Sequence, residues 1–462
     1  MGLFSSNKIP QPPLPTLQIL LTDRKVHRPD DIVTGFIALT PVLPISPHAI
    51  NVSLFGQSQI WHRIDVSSSD SASDYRHWRD NAPLFEVSEN VLLQTNVDDK
   101  KGKGETELLL PGQTYQFPFS FRFPSGTGNA RWRQYKNAAD QKFSIGPHDL
   151  PPSFLHTGKY GNGTDANYAK IEYGVRATLV CPGVGVVQGK SLVDDVVTEP
   201  LEFLPTSLEA ENGPLSVLRY PRVFTLHSST LTGQDPGQIG WRQSMRDRFS
   251  SATPALSFEV ALEVSDHLAS GAEFRFRASF TVLSKSENVI HIPDVTFRVL
   301  KLDLLDFTIY RAPRDTAANS NRDGAHTRSG NRYENMPPPD QPYSVAKDER
   351  EEISERKTHL NSLPESATLE LQQVPAYSLL ERQSIGDNKK GGGGAEHAME
   401  QAKSCEVWFS ARVPSVTPPS FRSFAITRVY KVRVKLGVEV GGKKFDMETE
   451  SHVRELGSVM VS

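Results

Sequence analysis

The sequence predicts an all-β protein made of two tandem β-sandwich domains, the second carrying a long disordered insertion. Three observations lead there. Apolar residues recur with a period of two over several long stretches, the pattern of strands with one dry and one wet face. A Pro-Pro-Ser-Phe segment followed by an alternating Tyr-x-Val run occurs twice, near residues 151 and 418. Helical periodicity is almost missing, while 33 prolines and 32 glycines are spread along all 462 residues, which suits many short strands joined by turns.

The alternation is explicit. Tyr115, Phe117, Phe119, Phe121 and Phe123 fall on one side of a strand, with Gln116, Ser120 and Arg122 on the other. Ala169, Ile171, Tyr173, Val175, Ala177 and Leu179 alternate with Lys170, Glu172, Arg176 and Thr178. Phe274, Phe276, Ala278, Phe280 and Val282 alternate with Arg275, Arg277 and Ser279. Tyr430, Val432, Val434, Leu436, Val438 and Val440 alternate with Lys431, Arg433, Lys435 and Glu439. Several such strands require a second sheet to cover the dry faces.

The repeat organises the chain. Pro151-Pro152-Ser153-Phe154 precedes the strand of Tyr173, and Pro418-Pro419-Ser420-Phe421 precedes that of Tyr430. Each reads as a Pro-braced bend entering a long strand. The domain boundary is expected between Leu204 and Pro214, where polar residues, Gly and Pro interrupt the apolar pattern. This divides the chain into a flexible stretch at 1–13, a first domain at 14–206 and a second at 207–462. One short helix is expected over 241–249, where Trp241, Met245 and Phe249 share a face. Residues 311–403 are polar, with a charge run from Lys347 to Lys357 and four glycines from Gly391 to Gly394. Composition predicts that this insertion stays disordered.

Charge and motifs exclude several functions. The net charge is −3, so there is no global basic field of the kind nucleic acid needs, and nucleic acid is not an expected partner. No apolar run reaches the length of a membrane span. The first residues lack the apolar stretch of a secretory signal. The two cysteines, Cys181 and Cys405, form no disulfide framework, which points to a cytoplasmic chain. No metal-ligand spacing, nucleophile elbow or zinc-hydrolase helix motif occurs, so neither catalysis nor a cofactor is expected. Residues 183–191 imitate a phosphate-binding loop, but Val184 stands where glycine is required and no helix follows.

These landmarks resemble the arrestin family, in particular the fungal arrestin-related trafficking adaptors of the alpha-arrestin type. The matching segments are residues 26–35, residues 50–56 with Trp61, the run from Leu110 to Pro124, residues 150–154, the strand of Tyr173, residues 408–414 and the stretch from Pro418 to Leu436. The resemblance covers most of the chain outside 311–403. The segment between Pro124 and Leu150 is longer than the family pattern and carries Arg131, Trp132, Arg133 and Lys136, expected on a surface loop that either contacts a partner or a lipid headgroup or is loop decoration with no role. Arg242 and Arg246 on the expected helix are candidates for the same contact.

The resemblance implies an intracellular adaptor that binds cytosolic segments of membrane transporters or receptors. It would recruit a HECT-type ubiquitin ligase for ubiquitin-dependent endocytosis, moving between cytoplasm, plasma membrane and endosomes. Such adaptors present Pro-Pro-x-Tyr or Leu-Pro-x-Tyr to WW domains, which accept an extended Pro-containing segment in an aromatic groove. Here Val374, Pro375 and Tyr377 form the related Val-Pro-x-Tyr. Valine in the first position keeps an apolar contact but gives up the backbone pre-organisation of proline. The alternative is an arrestin-fold scaffold in signalling or endosomal sorting that uses no ligase. Gly2 followed by Ser6 fits an N-myristoylation pattern. One acyl chain holds a protein to a bilayer only marginally, so a second attraction is needed, such as Lys8, the basic loop at Arg131 or a membrane-embedded cargo.

Overall fold

The computed structural model describes residues 15–65, 75–93, 108–128, 135, 141–159, 166–181, 195–205, 216–233, 253–314, 349–374 and 402–458. The described chain is nearly all strand, interrupted by two short 3-10 turns, Val91–Leu93 and Ser229–Thr232. It divides into two compact units. Unit 1 takes Met1–Thr206, Thr308–Ser354 and Phe421–Thr427; unit 2 takes Ser207–Phe307, Glu355–Ser420 and Arg428–Ser462. The division interleaves the chain, so the residues beyond 207 contribute to both units.

Unit 1 contains β1 (Thr16–Leu21), β2 (Ile32–Thr40), β3 (Ala49–Asp65), β4 (Tyr75–Asn90), β5 (Tyr115–Arg122), β6 (Phe154–Lys159), β7 (Ala166–Val180) and β8 (Asp195–Leu201). One sheet runs β1-β2-β5; the other runs β4-β3-β7-β6, with β8 also paired to β7. All these pairings are antiparallel, with Ile19 opposite Ile37, Gly35 opposite Phe119 and Leu54 opposite Val175. The dry faces meet in one core containing Ile37, Leu39, Val52, Leu54, Phe117, Phe119, Phe121, Val175 and Ala177. The alternation read from residues 115–123 and 169–179 is thus realised strand by strand.

The following strands are β9 (Val217–His227), β10 (Ala255–Ser265), β11 (His267–Ser270), β12 (Glu273–Lys285), β13 (Val295–Pro313), β14 (Glu349–His359), β15 (Ser362–Leu363), β16 (Ser366–Leu369), β17 (Gln372–Val374), β18 (Ala402–Arg412), β19 (Phe421–Arg422), β20 (Ile426–Val440), β21 (Lys443–Val453) and β22 (Glu455–Ser458). In unit 2, β15-β18-β12-β10-β9 form one sheet, with β17 on β18; β13 pairs with β14, β16 and β20, and β21 pairs with β20. β11 and β22 make a short parallel pair. The core between these layers holds Phe258, Phe276, Phe280, Phe297, Phe409, Val434 and Leu436.

The two Pro-Pro-Ser-Phe segments build the same device in each unit. In unit 1 the Tyr173 hydroxyl donates to the Pro151 carbonyl at 2.6 Å. Ser153 donates its N–H to the Phe203 carbonyl, and its Oγ accepts from the Phe203 N–H at 2.9 Å. In unit 2 the Tyr430 hydroxyl donates to the Pro418 carbonyl at 2.7 Å. Ser420 donates its N–H to the Leu456 carbonyl, and its Oγ accepts from the Leu456 N–H at 2.9 Å. Proline removes a donor and fixes the bend; the serine then clamps a later segment, at Phe203 just past β8 in unit 1 and at Leu456 of β22 in unit 2. The Tyr173 ring rests on Gly56, where a Cβ would meet it at 2.6 Å. Phe203, Phe123 and Phe85 surround it with centroids 4.8, 5.9 and 6.1 Å away.

Composition misleads over part of 311–403. Within that stretch residues 349–374 form β14 to β17, and β13 and β18 extend into its two ends. The charge run is solvated on one side only. Several of its carboxylates meet cations contributed by distant parts of the chain, which composition averages away. The helix expected over 241–249 and the phosphate-loop lookalike at 183–191 lie outside the described residues.

Tyr173→Phe and Tyr430→Phe each remove a donor and leave a carbonyl without its partner. Each is expected to lower unfolding free energy by about 1–3 kcal/mol. Urea denaturation of both variants beside the parent checks this, and a loss in only one of them would show that the two devices are not equivalent.

Candidate functional sites: buried charges in each unit

A strand inside a sandwich is expected to carry apolar residues, so charges on it stand out. β13 carries buried Asp303, Asp306 and Arg311, and each has a dedicated partner.

In unit 1, Arg311 is 4% exposed. Its backbone N–H donates to the Ala425 carbonyl at 2.9 Å. Its Nε and a terminal nitrogen both donate to the Phe424 carbonyl, at 3.0 and 2.8 Å. The remaining nitrogen lies 3.3 Å from the buried Glu349 carboxylate. The guanidinium plane rests over Phe143 and Tyr135, 4.2 and 4.7 Å from their centroids. Tyr135 in turn donates to Asp80, itself buried. Arginine suits this place because a planar fork serves several acceptors while its faces stack on rings.

The residues after Glu349 continue the pattern. Arg350 lies over the Trp78 ring and donates to Glu352 at 3.0 Å. Glu351 meets Lys142 at 2.9 Å. Glu352 lies 3.0 Å from Nε2 of His62, a side chain only 3% exposed. His148 sits 4.5 Å from Phe424, and its Nε2 lies 3.1 Å from the Ser423 hydroxyl. Burial lowers both imidazoles below their ordinary value; Glu352 opposes this at His62, and the Gly146 carbonyl opposes it at His148. His27, packed 5.4 Å from Phe123, is lowered too, first by burial and then by Lys25.

In unit 2, Arg428 grips Asp306 through two parallel bonds, Nε to Oδ1 at 3.0 Å and a terminal nitrogen to Oδ2. Fully buried Asp303 is ringed by Lys301, Lys357 and His359 at 3.4, 3.3 and 3.2 Å. Burial alone would raise its carboxyl, but the hydrogen bonds from His359, Lys357 and Lys301 hold it below the usual range. The outer face of the other sheet carries a ladder in which Arg277 joins Glu263 to Glu406 at 3.0 Å each. Arg277 also lies 5.4 Å from the centroid of Trp408, which is 53% exposed. An exposed tryptophan held by an ordered arginine has the composition of a protein-binding anchor.

These groups are arranged for holding segments together. Among the described residues no set of three or more His, Cys, Asp or Glu is placed to hold a metal ion. Burial pushes the Cys405 thiol up to about 12, far from a reactive thiolate. Among the described residues no helix is long and apolar enough to cross a membrane.

The residues singled out from sequence fall mostly elsewhere. Val374 is the last residue of β17, its backbone opposite Ala402 of β18. Gly2, Arg131, Trp132, Arg133, Lys136, Arg242, Arg246, Pro375 and Tyr377 lie outside the described residues. Tyr135, expected on the same surface loop as its basic neighbours, is instead buried against Arg311. The ionic centres escaped the pattern reading, although one signal was available: Asp303, Asp306 and Arg311 punctuate the largely apolar run from Leu302 to Ala312.

Removing Arg311 takes a cation away from the Glu349 carboxylate and two donors from the Phe424 carbonyl. Arg311→Met is expected to cost about 3–5 kcal/mol, and Arg311→Lys to recover only part, because an ammonium lacks the fork. Chemical denaturation of the two variants tests this. The three histidines have folded pKa values below the ordinary 6.5. Their stabilising contribution is therefore complete above that pH and is lost as pH falls through the folded values, at up to about 1.4 kcal/mol per pH unit for each. Stability measured from pH 7.5 downward is expected to decline below 6.5, and His27→Phe to flatten the decline; an unchanged slope would show that His27 takes no part.

No family model matches the chain, and no curated protein matches it.

Proposed function

We propose that the protein is an arrestin-like adaptor that binds membrane-protein cargo and recruits a HECT-type ubiquitin ligase for ubiquitin-dependent endocytosis. The observation that carries this reading is the duplicated device: Tyr173 on Pro151 and Tyr430 on Pro418, each with a serine clamping a later strand. It supports two related sandwiches in tandem, the architecture that the sequence resemblance implies. Fold alone does not give function. The adaptor role rests further on the resemblance, the Val374, Pro375 and Tyr377 motif, and protein-binding chemistry such as Trp408 beside Arg277.

On this reading the partners are ligase WW domains and cytosolic segments of transporters or receptors. The protein is cytoplasmic and visits the plasma membrane and endosomes, with peripheral contact to the bilayer. It needs no cofactor and catalyses no reaction of its own. One observation favours the ligase-independent scaffold instead. Val374 is held by backbone pairing in β17, whereas a WW groove takes its ligand as a free PPII segment.

Co-precipitation of full-length protein with a HECT-ligase WW array separates the two. Loss of capture on Tyr377→Ala is expected if the motif recruits the ligase. Equal capture, or none by either protein, would remove Tyr377 from the mechanism and leave the scaffold.

A further inference from the structure

The loop between β1 and β2 covers residues 22–31 and is charged, with Asp23, Arg24, Lys25, Arg28, Asp30 and Asp31. Its one buried side chain is His27, 1% exposed, while the aliphatic Val26 beside it points outward, 54% exposed. The imidazole lies against Phe123, and neither ring nitrogen has a hydrogen-bond partner among the described residues. A loop that needed only an apolar plug has a better one in valine, since an unpaired imidazole in a core is costly. The backbone of the same residue fastens the chain beyond β8. The His27 N–H donates to the Glu202 carbonyl at 2.8 Å, and the Leu204 N–H donates to the His27 carbonyl at 2.9 Å. Between those two bonds Phe203 turns its own backbone to Ser153. The 202–204 segment is thus gripped from both sides, by His27 on one and by Ser153 on the other.

We propose that His27 is a proton-operated latch: on taking up a proton its side chain leaves the core, the 22–31 loop parts from the 202–204 segment, and Ser153 alone holds Phe203. A neutral imidazole tolerates the pocket, whereas an imidazolium would leave water with no acceptor for either N–H. The charges around the ring do not keep a cation in place. On its own loop Lys25 opposes protonation, while Asp31 and Asp23 favour it. Asp31 is already shared between the Arg28 N–H at 2.9 Å and Lys25 at 3.7 Å. Next to Phe123, Arg122 lies 4.0 Å from Asp30. From the other side come Glu202, which is exposed, and Glu199, which meets Arg24 at 2.9 Å. None of these carboxylates hydrogen-bonds the ring. Burial outweighs them and holds the docked imidazole below its ordinary value, which an open loop restores. The docked loop is therefore fully favoured above pH 6.5 and loses ground as pH falls below it.

The latch operates whether or not the adaptor reading holds, and its test needs neither cargo nor ligase. Full-length protein is followed by residue-resolved amide hydrogen exchange at pH 7.5 and 5.5, corrected for the slower chemical exchange in acid. With the open loop titrating at the ordinary 6.5, the opening equilibrium is expected to rise about tenfold across that interval. The His27 and Leu204 amides are expected to lose protection by that factor, while the Phe203 amide, which donates to Ser153, keeps its own. His27→Phe, uncharged at every pH, is expected to abolish the pH dependence at Leu204. The ring C–H resonances of His27 in the parent, followed by NMR, are expected to titrate below 6.5 in step with the loss. Equal protection of Leu204 at the two pH values overturns the latch. So does a loss shared by the Phe203 amide, which would be unfolding of the whole region. A His27→Phe variant with the parent's pH dependence, or a ring that titrates at 6.5 or above while both backbone bonds stay protected, overturns it as well.

Discussion

A tyrosine hydroxyl donating to a proline carbonyl sets the frame on which each unit is built. In unit 1 Tyr173 is wholly buried, and burial drives its hydroxyl well above the ordinary range, so it remains a neutral donor. Its one strong acceptor is Pro151, at the bend that leads into β6. Because the same bend clamps Phe203 through Ser153, one short segment fixes β6, β7 and the chain beyond β8 relative to each other. The ring then dictates glycine at position 56 of β3 and packs Phe85, Phe123 and Phe203 around itself. Unit 2 repeats the arrangement with Tyr430, Pro418, Ser420 and Leu456.

The buried charges answer a different need. Hydrophobic faces make a sandwich stable but leave the choice of neighbouring segment loosely specified, because one aliphatic strand packs much like another. Arg311, Asp306 and Asp303 accept only partners of opposite charge and suitable geometry. Net stabilisation from such pairs is small, since desolvation offsets most of the attraction. Their value lies in selectivity: Glu349 beside Arg311 and Lys357 beside Asp303 settle where β14 belongs. Tyr135 and Phe143 contribute the stacking surfaces that make Arg311 the right cation for its position. The Trp408 face of unit 2 is a charge ladder with one exposed aromatic side chain.

The strands of Phe117, Tyr173, Phe276 and Val434 were legible in the sequence because alternation is a local property: each side chain's face follows from its neighbours two residues away. The Pro-Pro-Ser-Phe duplication was legible for the same reason. What Tyr173, Tyr430 and the two serines bond to was not, since Pro151 and Phe203 reach them only through folding. The run around Glu349 shows the limit most clearly. Its composition is that of a solvated tail, and no local pattern pairs Glu349 with Arg311 or Glu351 with Lys142. Local pattern therefore determined the fold class and the strands, whereas long-range pairing decided which charges are buried, because Coulombic partners are set by distances that exist only in three dimensions.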